Sequence, residues 1–203
     1  MPEEEQQWFQ RDEVLSYDEM LRVLRVGAGL GIRKVRITGG EPLTRPGAVD
    51  FCASVAAIPG INDVGISTNG TLLSKVERDT GGKTIAQRLV EGGLRTANIS
   101  LDSLNAERYR QTTQRDLLPK VLEGIEAARE AGFKSIKLNC VLMKHQSEDE
   151  LLPLIRYAGE RDLLLRFIEL MPVSTREMIN DDNFLAAGHA KQIVEQHLGA
   201  LQP

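Results

Sequence analysis

Five short apolar runs recur along this chain, and every gap between them is long enough to hold a helix. The runs are Val35-Arg36-Ile37, Val64-Gly65-Ile66, Ala97-Asn98-Ile99, residues 135–142 and residues 163–168. Gaps of that length call for crossover connections rather than hairpins. Crossovers pair successive strands in parallel and put helices on the outside of the sheet. The intervening segments carry helix signals of their own. Ser16 stands three residues before Glu19, the spacing of a capping box, and opens a helix that runs toward Leu30 and stops at Gly31. Further helices are expected over 48–58, closed by Pro59-Gly60, and over 84–91, closed by Gly92-Gly93. A longer one over about 118–131 has Val121, Leu122, Ile125 and Ala128 on one side and Gly132 as its stop. Ser147 is expected to cap a helix running to about Glu160, and a short helix near 190–198 follows a polar segment beyond Pro172. An open doubly wound sheet and a barrel both satisfy this rhythm.

Composition narrows the function classes. The net charge of −4 lacks the basic excess of a general nucleic-acid binder. No apolar run is long enough to span a bilayer. The acidic, polar start MPEEEQQWFQRDE is not a signal peptide, which makes the cytoplasm the default compartment. The two cysteines, Cys52 and Cys140, belong to no C-x-x-C pair and read as reduced, buried thiols. Trp8 and Phe9 are expected to pack locally, and the three histidines show no ligand spacing.

In parallel α/β folds the chemistry gathers at the carboxyl ends of the strands. Thr38-Gly39-Gly40-Glu41 follow the first run, Ser67-Thr68-Asn69 the second, and Ser100 and Asp102 the third. Lys137 and Asn139 lie near the end of the fourth, and Glu169 and Met171 follow the fifth. Taken singly, each reads equally well as an ordinary turn residue. Arg36 and Lys137 count for more, because each interrupts an apolar strand. A buried cation requires an anion, either Glu41 or Glu169 or a ligand phosphate. No G-x-G-x-x-G and no G-x-x-x-x-G-K-[ST] occurs, so a Rossmann dinucleotide site and a P-loop are both disfavoured.

Thr38-Gly39-Gly40-Glu41-Pro42 resembles the GGEP motif of radical S-adenosylmethionine (radical SAM) enzymes. Four segments together are more specific: VRITGGEPLTR (35–45), ISTNGTLL (66–73), NISLDSLN (98–105) and RFIELMPV (166–173). In this order and spacing they resemble the GTP 3′,8-cyclase family of molybdenum-cofactor biosynthesis. The resemblance implies a partial (β/α)6 TIM-like barrel lacking its first strand over 1–173, with 174–203 beginning a C-terminal region. It implies radical cyclisation of GTP to 3′,8-cyclo-7,8-dihydro-GTP, with S-adenosylmethionine and 4Fe–4S clusters as cofactors. Gly40, Ser100 and Met171 would contact S-adenosylmethionine. Arg36, Ser67 and Lys137 would contact GTP, with Asn139 and Arg166 as further contacts. The product would pass to a cyclic pyranopterin monophosphate synthase. Family members are often dimers, which makes a homodimer an expectation with no surface assigned. Another radical SAM enzyme, of the peptide-modifying or activating type, and a non-catalytic remnant are the alternative readings.

The sequence also departs from the family. The family's Cys-x3-Cys-x2-Cys lies directly before the segment matching Met1-Pro2-Glu3-Glu4, and its second cysteine set lies beyond the position of Pro203. Neither set is within these 203 residues. The polypeptide alone is therefore expected to bind neither cluster and to generate no radical.

Overall fold

The computed structural model describes residues 14–78, 80–171 and 183–202. Trp8, Phe9, the Met1–Glu4 match and most of the polar segment after Pro172 lie outside the described residues.

The five expected strands form one sheet: β1 (Lys34–Ile37), β2 (Asp63–Thr68), β3 (Thr96–Ser100), β4 (Ser135–Leu142) and β5 (Leu164–Glu169). All neighbours are parallel, and the spatial order is the chain order β1-β2-β3-β4-β5. This order separates the two architectures that the sequence left open. A doubly wound sheet reverses direction at a switch point, and this one does not. Right-handed crossovers that always step the same way leave every helix on the same face, the arrangement of a TIM-like barrel.

The helices are α1 (Tyr17–Gly29), α2 (Ala48–Ala56), α3 (Ile85–Glu91), α4 (Ala106–Thr113), α5 (Leu118–Ala131), α6 (Leu151–Gly159) and α7 (Ala187–Leu198). Ser16 and Glu19 form the expected capping box, and Thr84 and Gln87 form a second one on α3. Gly132, at φ 85°, ends α5 in the left-handed region, where glycine carries no steric penalty. Ser147 corrects an expectation. Its hydroxyl accepts from Met143 N at 2.9 Å and donates to Val141 O at 3.3 Å. Ser147 therefore ties down the turn after β4, and the helix begins only at Leu151.

Alternation along the strands separates two faces. Val64, Ile66, Ala97, Ile99, Ile136 and Leu138 point to one face and join Leu73, Leu89, Val121, Ile125 and Leu154 in a single core. Each such fully buried aliphatic side chain contributes roughly 1.5–3 kcal/mol relative to exposure. A smaller cluster of Leu142, Leu151, Leu185, Ala190 and Val194 attaches α7 to α6 and the end of β4. Gly124 lets α5 lie directly on the turn after β2, because a Cβ there would stand 2.0 Å from Gly70 O.

Candidate active site

The opposite face of the sheet carries the polar side chains, and the register sets them in rows. The first row is Arg36, Gly65, Thr96 and Ser135. Toward the strand ends follows Ser67, Asn98, Lys137 and Leu164, and then Ser100, Asn139 and Arg166. These rows hold three cations, Arg36, Lys137 and Arg166, and no carboxylate. One row further from the strand ends Lys34 pairs with Asp63 at 3.9 Å, so the positive surplus of this face lies toward the strand ends, where it attracts an anionic ligand.

Arg36 and Lys137 were expected to be buried cations. Arg36 is exposed and Lys137 half-buried. The reason is the two-residue period of a strand: the apolar neighbours of each cation point to the opposite face. Nor do the expected carboxylates reach them. Both Glu41 oxygens accept from Thr68 Oγ1 at 2.9 Å, and Glu41 also accepts from Leu43 N at 3.1 Å and Asn69 N at 2.6 Å. Glu169 Oε1 accepts from Ala187 N at 2.7 Å. Arg36 and Lys137 form no ion pair among the described residues. Lys137 is also the third residue of an eight-residue strand, so it sits in the body of the sheet rather than near the strand end.

At the strand ends, Glu41 works as a staple. The Gly39-Gly40 segment leaves β1, the short helical turn Pro42–Thr44 follows, and the Glu41 carboxylate fastens both to the end of β2. Gly39 and Gly40 stay exposed, with no heavy atom within 4 Å of a Cβ placed on either. Their backbone is thus open to a ligand. Ser100 is exposed at the end of β3, and Met171, 62% exposed, lies just past β5. On this rim Arg166 donates from Nε and Nη2 to Asn139 Oδ1 at 2.9 and 2.7 Å, and its other N–H groups have no hydrogen-bond partner among the described residues.

Three features of this face escaped sequence reading. Asn98 Oδ1 is buried with no hydrogen-bond partner among the described residues, directly between Ser67 and Lys137 in the register. Asp102 Oδ1 accepts from Val141 N at 2.9 Å, because β4 continues after β3 has ended and its amide needs an acceptor. Burial holds the Asp102 carboxyl above the usual carboxylate range, opposed by that backbone hydrogen bond. The third is the missing side chain at Gly65, beside Arg36. Aligning the strands by hand in parallel register would have found the first and third.

A family match covers residues 3–158, and it is to the radical SAM superfamily. The chain belongs to the radical SAM superfamily. It is 45% identical over 170 residues to a GTP 3′,8-cyclase of Pseudomonas putida (strain W619), covering 84% of this chain and 48% of that protein. It is 39% identical over 191 residues to a GTP 3′,8-cyclase of Thermodesulfovibrio yellowstonii, covering 94% of this chain and 56% of that protein. The chain thus spans about half the length of the curated relatives it matches. Among solved structures it resembles Streptococcus suis SuiB bound to S-adenosylmethionine, with a TM-score of 0.62 at 17% identity, over 84% of this chain and 37% of that one. At that identity the likeness concerns the fold.

The superfamily implies S-adenosylmethionine and a 4Fe–4S cluster, and the residues fit the two unequally. The open backbone at Gly39-Gly40 and the exposed Ser100, at the carboxyl ends of β1 and β3, suit the first. The second finds no holder here. Among the described residues no three His, Cys, Asp or Glu side chains converge. Cys52 lies inside α2 and Cys140 inside β4, both fully buried. Burial pushes the Cys52 thiol up to about 12 and raises that of Cys140, so neither is a ready thiolate.

Proposed function

We propose that this chain is the nucleotide-binding part of a GTP 3′,8-cyclase barrel, acting at the first step of molybdenum-cofactor synthesis. The observation that carries the reading is the agreement between two independent facts. The relatives that are 39–45% identical over most of this chain are GTP 3′,8-cyclases. The open face of the sheet presents Arg36, Lys137 and Arg166 in rows that hold no carboxylate, the one acid of the β1–β2 pair on that face, Asp63, being paired with Lys34 further from the strand ends.

In this reading Arg36 and Lys137 hold the triphosphate, Arg by directional N–H donors and Lys as a compact charge. Ser67 lies in the same row as Lys137 and offers its hydroxyl to the nucleotide. Asn139 and Arg166 contact it from the row above, Arg166 being aimed by its two hydrogen bonds to Asn139. Gly40 backbone, Ser100 hydroxyl and Met171 line the place for S-adenosylmethionine on the rim. That group, when bound, is the source of the radical that the family's reaction needs. The residues here bind and orient the nucleotide; no step is assigned to a cluster, since the described residues do not hold one. The sheet and its helices through residue 173 make the barrel unit, and 174–203 begin a C-terminal region. The cyclised product is handed to a cyclic pyranopterin monophosphate synthase, and the parent protein is a homodimer of the cytoplasm.

Titration of the 203-residue chain with GTP, ATP and guanosine tests the substrate. Saturable GTP binding that weakens with salt is expected, with ATP and guanosine weaker. Lys137→Ala should weaken it by about tenfold, the size of one lost charge-assisted contact. Equal binding of GTP and ATP, or none, would overturn the reading. Anaerobic incubation with iron, sulfide, reductant, S-adenosylmethionine and GTP tests the rest. With only two cysteines, both buried, this polypeptide should give no cyclised product.

A further inference from the structure

We propose that Gly65 is a positioning residue for Arg36: its missing side chain lets the guanidinium lie over β2, toward the middle of the polar face. The inference rests on the reading of Arg36 as a GTP contact. β1 is the outermost strand among the described residues, so a cation on it would ordinarily stand at the margin of the face. Gly65 is directly opposite Arg36 in the register. A Cβ at Gly65 would stand 2.7 Å from Arg36 Nη1, 3.0 Å from Arg36 Cζ and 2.5 Å from Thr96 Oγ1. Carbon and nitrogen do not approach that closely without a bond. The guanidinium therefore occupies the space that any other residue at 65 would fill.

No ion pair holds Arg36 in this position among the described residues. Its placement comes from the vacancy beneath it. Lying over β2 shifts the charge inward by roughly one strand spacing, about 5 Å. That brings it nearer Lys137, two strands further on, so that both cations can reach one polyphosphate. Nothing about the backbone requires glycine here, because Gly65 is not among the residues with positive φ. An alanine suits the strand backbone, provided that the flexible end of Arg36 and the Thr96 hydroxyl both give way.

A double-mutant cycle decides the matter, reading the affinity of the chain for GTP and guanosine and the melting temperature of each variant. If Gly65 acts through Arg36, Gly65→Ala weakens GTP binding by about tenfold, as loss of one charge-assisted hydrogen bond does. Guanosine binding should stay unchanged, and Gly65→Ala should cost nothing further in the Arg36→Ala background. A purely structural glycine would instead weaken both ligands and would add its effect to that of Arg36→Ala. If Arg36→Ala weakens GTP binding while Gly65→Ala does not, or adds in full, Gly65 has no positioning role and the GTP reading stands. If Arg36→Ala leaves GTP binding intact, both fall together. Should Gly65→Ala unfold, the Thr96→Ala background removes the 2.5 Å hydroxyl contact and keeps the contact with Arg36. In that background the same fold-changes are expected.

Discussion

The two faces of this sheet come from the same five strands and alternate residue by residue, yet they follow different rules. On the covered face each side chain is surrounded by helices, and its identity is fixed by volume and apolarity. On the open face Arg36, Asn98, Lys137 and Arg166 have few or no partners among the described residues, and the buried Asn98 oxygen has none there. Such a face adds little to stability and leaves its hydrogen-bonding capacity for something that arrives later. The difference separates what folds the chain from what the chain binds, one residue apart in sequence.

The sharpest contrast is between Leu138 and Lys137. Leu138 is 0% exposed in a central strand, so Leu138→Ala should lower unfolding free energy by about 3 kcal/mol in urea titration. Lys137→Ala, on the other face, should change it by less than about 0.5 kcal/mol while weakening GTP binding. Equal stability losses would erase the distinction between the faces. The next effect lies at the boundary between them. Glu41→Ala leaves Thr68 Oγ1 and the amides of Leu43 and Asn69 without their acceptor, and should cost about 2 kcal/mol. Glu41→Gln, which keeps one carbonyl acceptor, should recover part of that.

The smallest effect concerns Asp102, whose carboxyl is held above its ordinary value, chiefly by burial. A raised carboxyl pKa in the folded state means that the folded protein prefers the protonated form. Its favourable contribution is complete below the unfolded value of about 3.9 and is lost as pH rises through the higher folded value. Asp102→Asn keeps an acceptor for Val141 N and removes this dependence. The variant should gain on the parent as pH rises from the acid side to 7, and the gap should close on re-acidification. A gap independent of pH would show that burial of the charge is not the cause.

How much of this was legible depended on how many apolar residues mark an element. α5 and β4 have the bounds their patterns gave, because each presents an apolar residue at every expected position. α4 was missed: its sequence AERYRQTT buries only Tyr109, so no period is visible, and its one signal was the capping Asn105. The burial of the two cations was read wrongly, and Lys137 lies deeper in β4 than the strand end where it was expected. Arg36 and Lys137 both lie within strands as expected, but the sequence does not say that the face they point to is left uncovered. That follows from the strand order, a property of the whole sheet. Asn98 and Gly65 become meaningful only as neighbours of residues on other strands.

The unreversed strand order also bears on how the sheet is made. Each strand pairs with the next one in the chain, and paired residues stand on the order of thirty apart. Every pairing therefore closes a loop of similar size, and none has to wait for a distant segment. A ribosome delivers the strands in the order in which they stand in the sheet, so each new strand can dock on an edge already in place. The open edge that a finished protein must protect is, during synthesis, the growing end of the structure.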